Sequence, residues 1–450
     1  MALGFFALRL RERNDRLLLT AVGQINHGGK QAVIDGDQAV VVANLNLDAG
    51  KIAMDMSDFF SAYTFFNCGI SYLPRGCWDE QYDLSLDLFN LAAKCALMNA
   101  EHDRVRMLTA EIMRFAKCFE DKYEAISITV TLLMWSGNVP EAVALMNNTL
   151  SSLGEALPAT ITLTVIVDYF DNIKEQLASL SEDTLLSYPA MVNPSKILAV
   201  ELLVKLFRCL TLTGERAAMP IIPLKMIQIS LTHGMSSLSP VGFAQYGNYL
   251  AFVRDEFEEG YRYVKFALSL MNKIPSRAHQ GTTMLYSNHI KLYVEPMQSA
   301  VEFYLEAYKA AMKSGNPYAV TCSYAHDNIC FWSGKELNAV VDSMKKTMNE
   351  TKYHKNMLGL ALILPTFRMA LRLISLSDAP EQDGLTHASI IRKHVTHLHT
   401  INILFVSLSE ALLFREFDKA REATDEYFLV DDSVGCHFSM STPNMCFRTL

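Results

Sequence analysis

Nine cysteines and one cluster of histidines are the side chains through which this sequence could do covalent or metal chemistry. Cys77 is the strongest single candidate. It follows Pro74-Arg75-Gly76 and opens an acidic amphipathic run, "LPRGCWDEQYDLSLDLFN". A thiol at a helix N-terminus can be activated, and Arg75 is a nearby cation. No His or Lys stands beside Cys77, however, and Asp79 and Glu80 disfavour a thiolate. The pattern fits packing better, with Cys77-Trp78 filling the corner between two helical units. No cysteine pair has the C-x-x-C spacing of zinc or redox sites. The number is odd and most lie in apolar stretches, the usage of reduced, buried thiols in a cytoplasmic protein.

The stretch "THASIIRKHVTHLHT" puts His394 and His397 three residues apart, with His387 two turns before His394. A metal would need a further ligand and outer partners, and none stands nearby. A solvated or packing role is the better expectation. The acidic "RDEFEEGY" (Arg254–Tyr261) reads as a solvated turn between paired helices, without a second acid to make a dyad. "HGGKQAV" lacks the glycine spacing and the Ser/Thr of a P-loop. Kinase, hydrolase and zincin signatures are also missing. The sequence therefore assigns no catalytic, cofactor-binding or metal-ligating residue, and the chain is expected not to be an enzyme of these types. Methionine is abundant, at 22 residues. Met98, Met107, Met113, Met134 and Met146 fall in amphipathic stretches and read as core filler rather than a partner surface. The sequons at Asn147 and Asn349 fall in predicted helices, so glycosylation is not expected.

A chain of 450 residues is too long for one ordinary core. It calls for two or three domains or one elongated repeat array. A net charge of −8 argues against a basic nucleic-acid surface. The N-terminal apolar run is short and broken by Arg9, Arg11 and Arg13, which is poor for a secretory signal. "INILFVSLSEALLF" is too short to cross a bilayer. Neither nucleic acid nor membrane is an expected partner.

Helical periodicity dominates. Leu84, Leu88, Leu91 and Cys95 form one stripe, and Val301, Tyr304, Leu305 and Tyr308 another. "AVIDGDQAVVVA" offers a hairpin at Asp35-Gly36, but a loop running into a helix fits better, since an isolated hairpin is marginal. Breakers recur at Pro74-Arg75-Gly76, Gly137-Asn138, Pro158, Pro194, Gly214, Gly234, Pro275, Gly315-Asn316-Pro317 and Gly334. "LLSYPAMVNPSKI", with Pro189 and Pro194, predicts an extended connection.

A repeat register appears in "AGKIAMDMSDFFSAYTFFNCGISYLP". Counting from Gly50, Ala53, Ala62, Phe66, Gly69 and Pro74 occupy tetratricopeptide-like places. Small residues let two antiparallel helices approach, the aromatic fills the groove, and the proline ends the second helix. Weaker copies start at Val130, Asn248 and Leu408, and one near Ala300 puts Lys291 at an apolar place. The key small residue recurs at Ala62, Val105, Ala142, Gly260, Ala300, Ala339 and Ala420. The period is roughly 40, longer than the tetratricopeptide's 34. The expected fold is all-α, a tetratricopeptide-like right-handed superhelical solenoid of helix pairs. Residues 1–37 form an N-terminal segment, 38–375 the repeat array, 376–386 an exposed loop, 387–430 C-terminal repeats and 431–450 a frayed tail.

The first repeat and its exit carry a resemblance. Ala49-Gly50, Leu73-Pro74, Cys77-Trp78, Gln81-Tyr82, Leu84, Leu86 and Leu88 are similar to the helical-repeat region of large signalling proteins. Those proteins join a Ser/Thr-kinase-like domain, a STAND-class AAA-type ATPase, this region, and often GAF and histidine-kinase domains. Lys225-Met226, Ser230-Leu231, Gly234, Ser239 and Tyr246 resemble a second stretch of the family, and Phe331, Gly334 and Leu337 a third. "LLLTAVGQINHGG" resembles the junction that follows the ATPase, and the likeness spans roughly residues 17–430. The resemblance implies a non-catalytic regulatory scaffold, either stand-alone or a fragment. Its partner would be a protein, or a signalling ATPase or kinase domain in cis or trans, bound on the concave face. The family's catalytic motifs have no counterparts here. A solenoid that senses a small ligand in its interior is the alternative, with an enzyme of unrecognised kind as a lesser one. No cofactor is implied.

Overall fold

The computed structural model describes residues 15–29, 36–314, 319–353, 357–375 and 397–432. Twenty-one α-helices and no strand occur among them. The chain divides into two compact units, residues 1–132 and 133–450.

In the first unit α1 (Asp15–Gly28), α2 (Gly36–Asp55) and α3 (Phe59–Tyr72) lead to the single turn α4 (Cys77–Glu80). Then follow α5 (Tyr82–Met98), α6 (His102–Phe115) and α7 (Tyr123–Trp135), which runs across the division. Gly36–Ala43 are helical, so the hairpin alternative does not form. Asp58 caps α3 by accepting from the Ser61 amide at 3.0 Å. Leu73, extended before Pro74, ends it.

The register read from Gly50 is the packing of α2 on α3. A Cβ on Gly50 would lie 2.3 Å from the Phe66 ring, and Phe66 is fully buried. A Cβ on Gly69 would lie 2.8 Å from Leu88, so α5 packs as tightly on the far side of α3. Leu18 and Val22 of α1 bury against Leu45 and Ala49 of α2.

The second unit contains α8 (Val139–Ser152), α9 (Leu163–Ala178), α10 (Glu182–Leu186), α11 (Pro194–Thr213) and α12 (Ile221–His233). The pairs α13 (Ser239–Arg254) with α14 (Phe257–Lys273) and α15 (Arg277–Val294) with α16 (Met297–Lys313) come next. They are followed by α17 (Ala319–Trp332), α18 (Leu337–Tyr353), α19 (Met357–Ser375), α20 (His397–Leu413) and α21 (Phe417–Asp432). Thr162, Ser181 and Asn193 cap α9, α10 and α11. Gly214 closes α11 in the left-handed conformation. The expected extended connection is present: Ala190 bridges Met235, and the Met191 amide donates to the Met235 carbonyl at 2.9 Å. Gly234 serves this crossing, since its φ is +98° and a Cβ would lie 2.6 Å from the Pro189 carbonyl.

First helices of successive pairs touch one another directly: α13 meets α15, α15 meets α17, α17 meets α19 and α19 meets α20. Helix α11 contacts both α13 and α20. Helices α13 and α14 pack backbone to backbone. A Cβ on Gly247 would lie 2.4 Å from the Gly260 carbonyl oxygen, and one on Gly260 equally near that of Gly247.

Two expectations need correction. Ala339 does not fill the small-residue place, because it is exposed and Val340 is buried instead. The interval from Gly260 to Ala300 to Val340 is then a constant 40 residues. Met107 and Met113 are not core filler. They are 61% and 42% exposed, opposite the stripe Val105, Thr109 and Ile112 that buries α6. Met134 and Met146 are buried as expected. His387 and His394, the loop 376–386 and the tail beyond Asp432 lie outside the described residues, as does the side chain of His397.

Candidate functional site

Cys77-Trp78 is a packing corner. Trp78 on α4 stacks on Phe115 of α6, centroids 5.5 Å apart and planes 9° from parallel. It also meets Phe89 of α5 at 5.1 Å. Gly76, at φ +83°, makes the turn that aims the indole inward. Cys77 is half-buried beside these rings.

The polar chemistry lies in the second unit, on first helices. Asn248, Asn288 and Asn328 recur every 40 residues on α13, α15 and α17, and all three are buried. Asn248 donates its amide to the Tyr286 carbonyl at 2.9 Å, which ties α13 to α15. Asn288 reaches the Ala300 carbonyl at 3.5 Å. The side-chain oxygens of Asn248 and Asn288, the Ser287 hydroxyl and both polar atoms of Gln245 have no protein partner. A buried polar atom left unpaired costs about 1–3 kcal/mol, so these positions call for water or a ligand.

Asp327 is the centre of the seam and is 1% exposed. It accepts hydrogen bonds from Ser343 at 2.6 Å and Thr347 at 2.7 Å, both on α18. Since the Thr347 hydroxyl donates to Asp327, Ser323 must be the donor in its 2.7 Å contact with Thr347. Tyr324 donates to Asn402 at 3.2 Å, and Asn402 donates to the Leu362 carbonyl at 3.0 Å. One helix, α17, is thereby fastened to α18 and α20 by side chains alone, and α20 in turn to α19.

A second buried charge set holds the connection after α8. Glu155, 8% exposed, pairs with Lys196 at 2.6 Å and Lys225 at 2.9 Å. Burial would raise its carboxyl, but hydrogen bonds from the two lysines prevail and hold it below the ordinary carboxylate range. Lys225 thereby neutralises a buried acid. Ser230 and Ser239, from the same stretch, meet hydroxyl to hydroxyl at 2.7 Å.

Among the described residues no group of three His, Cys, Asp or Glu is arranged to hold a metal ion. No described helix is long and apolar enough to cross a membrane. The asparagine ladder was visible in the sequence as a 40-residue recurrence. Asp327 was not, because its partners come from a different helix.

No family model matches the sequence, and no curated protein matches it. Among solved structures the chain is similar to a Rap protein complexed with competence and sporulation factor. The TM-score is 0.51 at 9% identity, over 87% of this chain and 98% of that one. It is also similar to the APC/C hetero-tetramer Cut9–Hcn1, with TM-score 0.36 and 12% identity, over 88% of this chain and 76% of that one. Both are tetratricopeptide-repeat helical proteins. The likeness to the first shows the fold of this chain, an all-α tetratricopeptide-like array of helix pairs.

Proposed function

We propose that this chain is a non-catalytic protein-interaction scaffold, the helical-repeat sensor region of a signalling ATPase or kinase protein or a partner to one. The observation that carries the reading is the direct contact between first helices of successive pairs, α13 through α20. Stacked helix pairs of this kind are the architecture on whose surfaces helical-repeat proteins bind other chains. The Rap structure, solved with a bound factor, supports the same use of the fold. The likeness of residues 49–88 and 225–246 to the repeat region of STAND-type signalling proteins supports the ATPase or kinase context and a cytoplasmic location.

A second reading, a sensor of small polar ligands, is favoured by the unpartnered atoms of Gln245, Asn248, Ser287 and Asn288. Thermal melting against a panel of nucleotides and metabolites separates the two. The scaffold reading predicts no shift beyond about 1 °C with any compound. A saturable shift of several degrees, removed by Gln245→Leu, would replace it with the sensor.

A further inference from the structure

Two helix faces, one in each unit, are exposed, apolar at the centre and opposite in charge. On α6 the residues Arg106, Met107, Ala110, Met113 and Arg114 share one side by helical spacing, and all five are exposed. The small Ala110 between two flexible thioethers gives this face an adaptable apolar centre. From His102 to Phe119 four cations, Arg104, Arg106, Arg114 and Lys117, stand against Asp103 and Glu111, a net charge of +2 in a chain of −8. Arg106 pairs with Asp103 at 2.9 Å, a contact so exposed that it contributes little and exchanges easily. On α21 the pattern is reversed. Ala420, Ala423 and Tyr427 are buried, while Asp418, Glu422, Asp425 and Leu429 follow one another at i, i+4, i+7 and i+11 and are all exposed. Leu429 is 73% exposed, and Phe417 and Phe428 of the same helix are exposed as well. From Phe417 to Leu429 four acids stand against two cations, a net charge of −2, and one of those cations, Lys419, is engaged by Glu416 at 3.0 Å.

We propose that α6 of one copy of this chain docks on α21 of a second copy, so that the chains associate head to tail. Met107 and Met113 would cover Leu429, with Arg106 and Arg114 set against Asp418, Glu422 and Asp425. The occupant is chosen by charge. Pairing α6 with α6, or α21 with α21, would bring like charges together at the rim of the contact, whereas α6 on α21 brings opposite ones. The interface is therefore heterologous, each copy using a different face toward each neighbour. One helix face on another buries far less than the roughly 800 Å² per partner of a standard interface, so the association is weak and reversible. Its charges lie at the surface, so salt screens them.

Sedimentation equilibrium of the full chain tests this. The unmodified chain is expected to be monomeric at about 2 µM and to form dimers and larger species at about 200 µM in low salt. Raising the salt from about 0.05 to about 0.5 M should return it to monomer. Two double variants then identify the faces, all at exposed positions that leave the folded chain intact. Met107→Gln with Arg114→Gln disables α6, and Asp425→Asn with Leu429→Gln disables α21. Each variant alone should stay monomeric at about 200 µM. An equimolar mixture of the two should form a species of two chains and nothing larger, because one intact α6 and one intact α21 remain. A monomeric unmodified chain at both concentrations, or association that strengthens with salt, overturns the proposal without recourse to any variant. So does a variant that still associates with itself, or a mixture that stays monomeric.

Discussion

Glu155→Ala is expected to cost about 3–5 kcal/mol of stability, because it strands Lys225 as a buried charge without a counter-ion. Lys225 is 9% exposed at its side chain, and Glu155 is its ion-pair partner at 2.9 Å. The same carboxylate gives the protein an acid limb. Its folded carboxyl titrates below that of the unfolded chain, so the unfolded chain takes up the proton first. The stabilisation is complete above about pH 5 and is lost as pH falls through the folded value. Urea midpoints measured from pH 7 to pH 3 check both points. The unmodified protein should lose stability steeply in acid. Glu155→Ala should start lower and show a shallower acid limb. Equal slopes for the two would remove Glu155 from the account.

The second large effect sets one substitution against itself at two places. Replacing a helical glycine with alanine ordinarily stabilises by about 0.5–1 kcal/mol through the unfolded chain. Gly23 on α1 has open space where a Cβ would go, so Gly23→Ala should follow that rule. At Gly247 the same methyl would lie 2.4 Å from a backbone oxygen of the facing helix, which cannot swing aside. Gly247→Ala should therefore destabilise by about 1–3 kcal/mol, the usual cost of overpacking. Chemical denaturation of both variants decides it. A stabilised Gly247→Ala would mean that α13 and α14 are not packed backbone to backbone.

The parts of this fold that could be read from the sequence are those set by neighbours along the chain. Gly50, Ala62, Phe66 and Pro74 lie within one helix pair, so their spacing and their packing are the same information. Trp78 follows a glycine with positive φ and a proline, and its burial at the corner follows from that local turn. The error at Ala339 has an identifiable cause. Glu336 accepts from the amides of Asn338 and Ala339 at 2.9 and 2.8 Å, which starts α18 in a phase that turns Val340 inward. In "ELNAVV" several small or apolar residues compete for one place, and the cap decides among them. Met107 and Met113 lie on the exposed face of α6, and periodicity rather than composition is the signal that places them there. Val105, Thr109 and Ile112 already marked the buried stripe on the other face. Glu155 and Asp327 were beyond reach for a different reason. Lys225 lies 70 residues from Glu155, and Asp327 is satisfied by hydroxyls of a separate helix. Nothing in one segment announces a partner that only folding brings near.

A scaffold of this kind should hold another protein. Capture of the purified full chain with proteins of its own cells, followed by cross-link mapping, tests it most directly. The account predicts a partner carrying ATPase or kinase motifs, retained in stoichiometric amount and cross-linked to residues of the second unit. Recovery of the chain alone, with no cross-linked protein at any concentration tried, would contradict it.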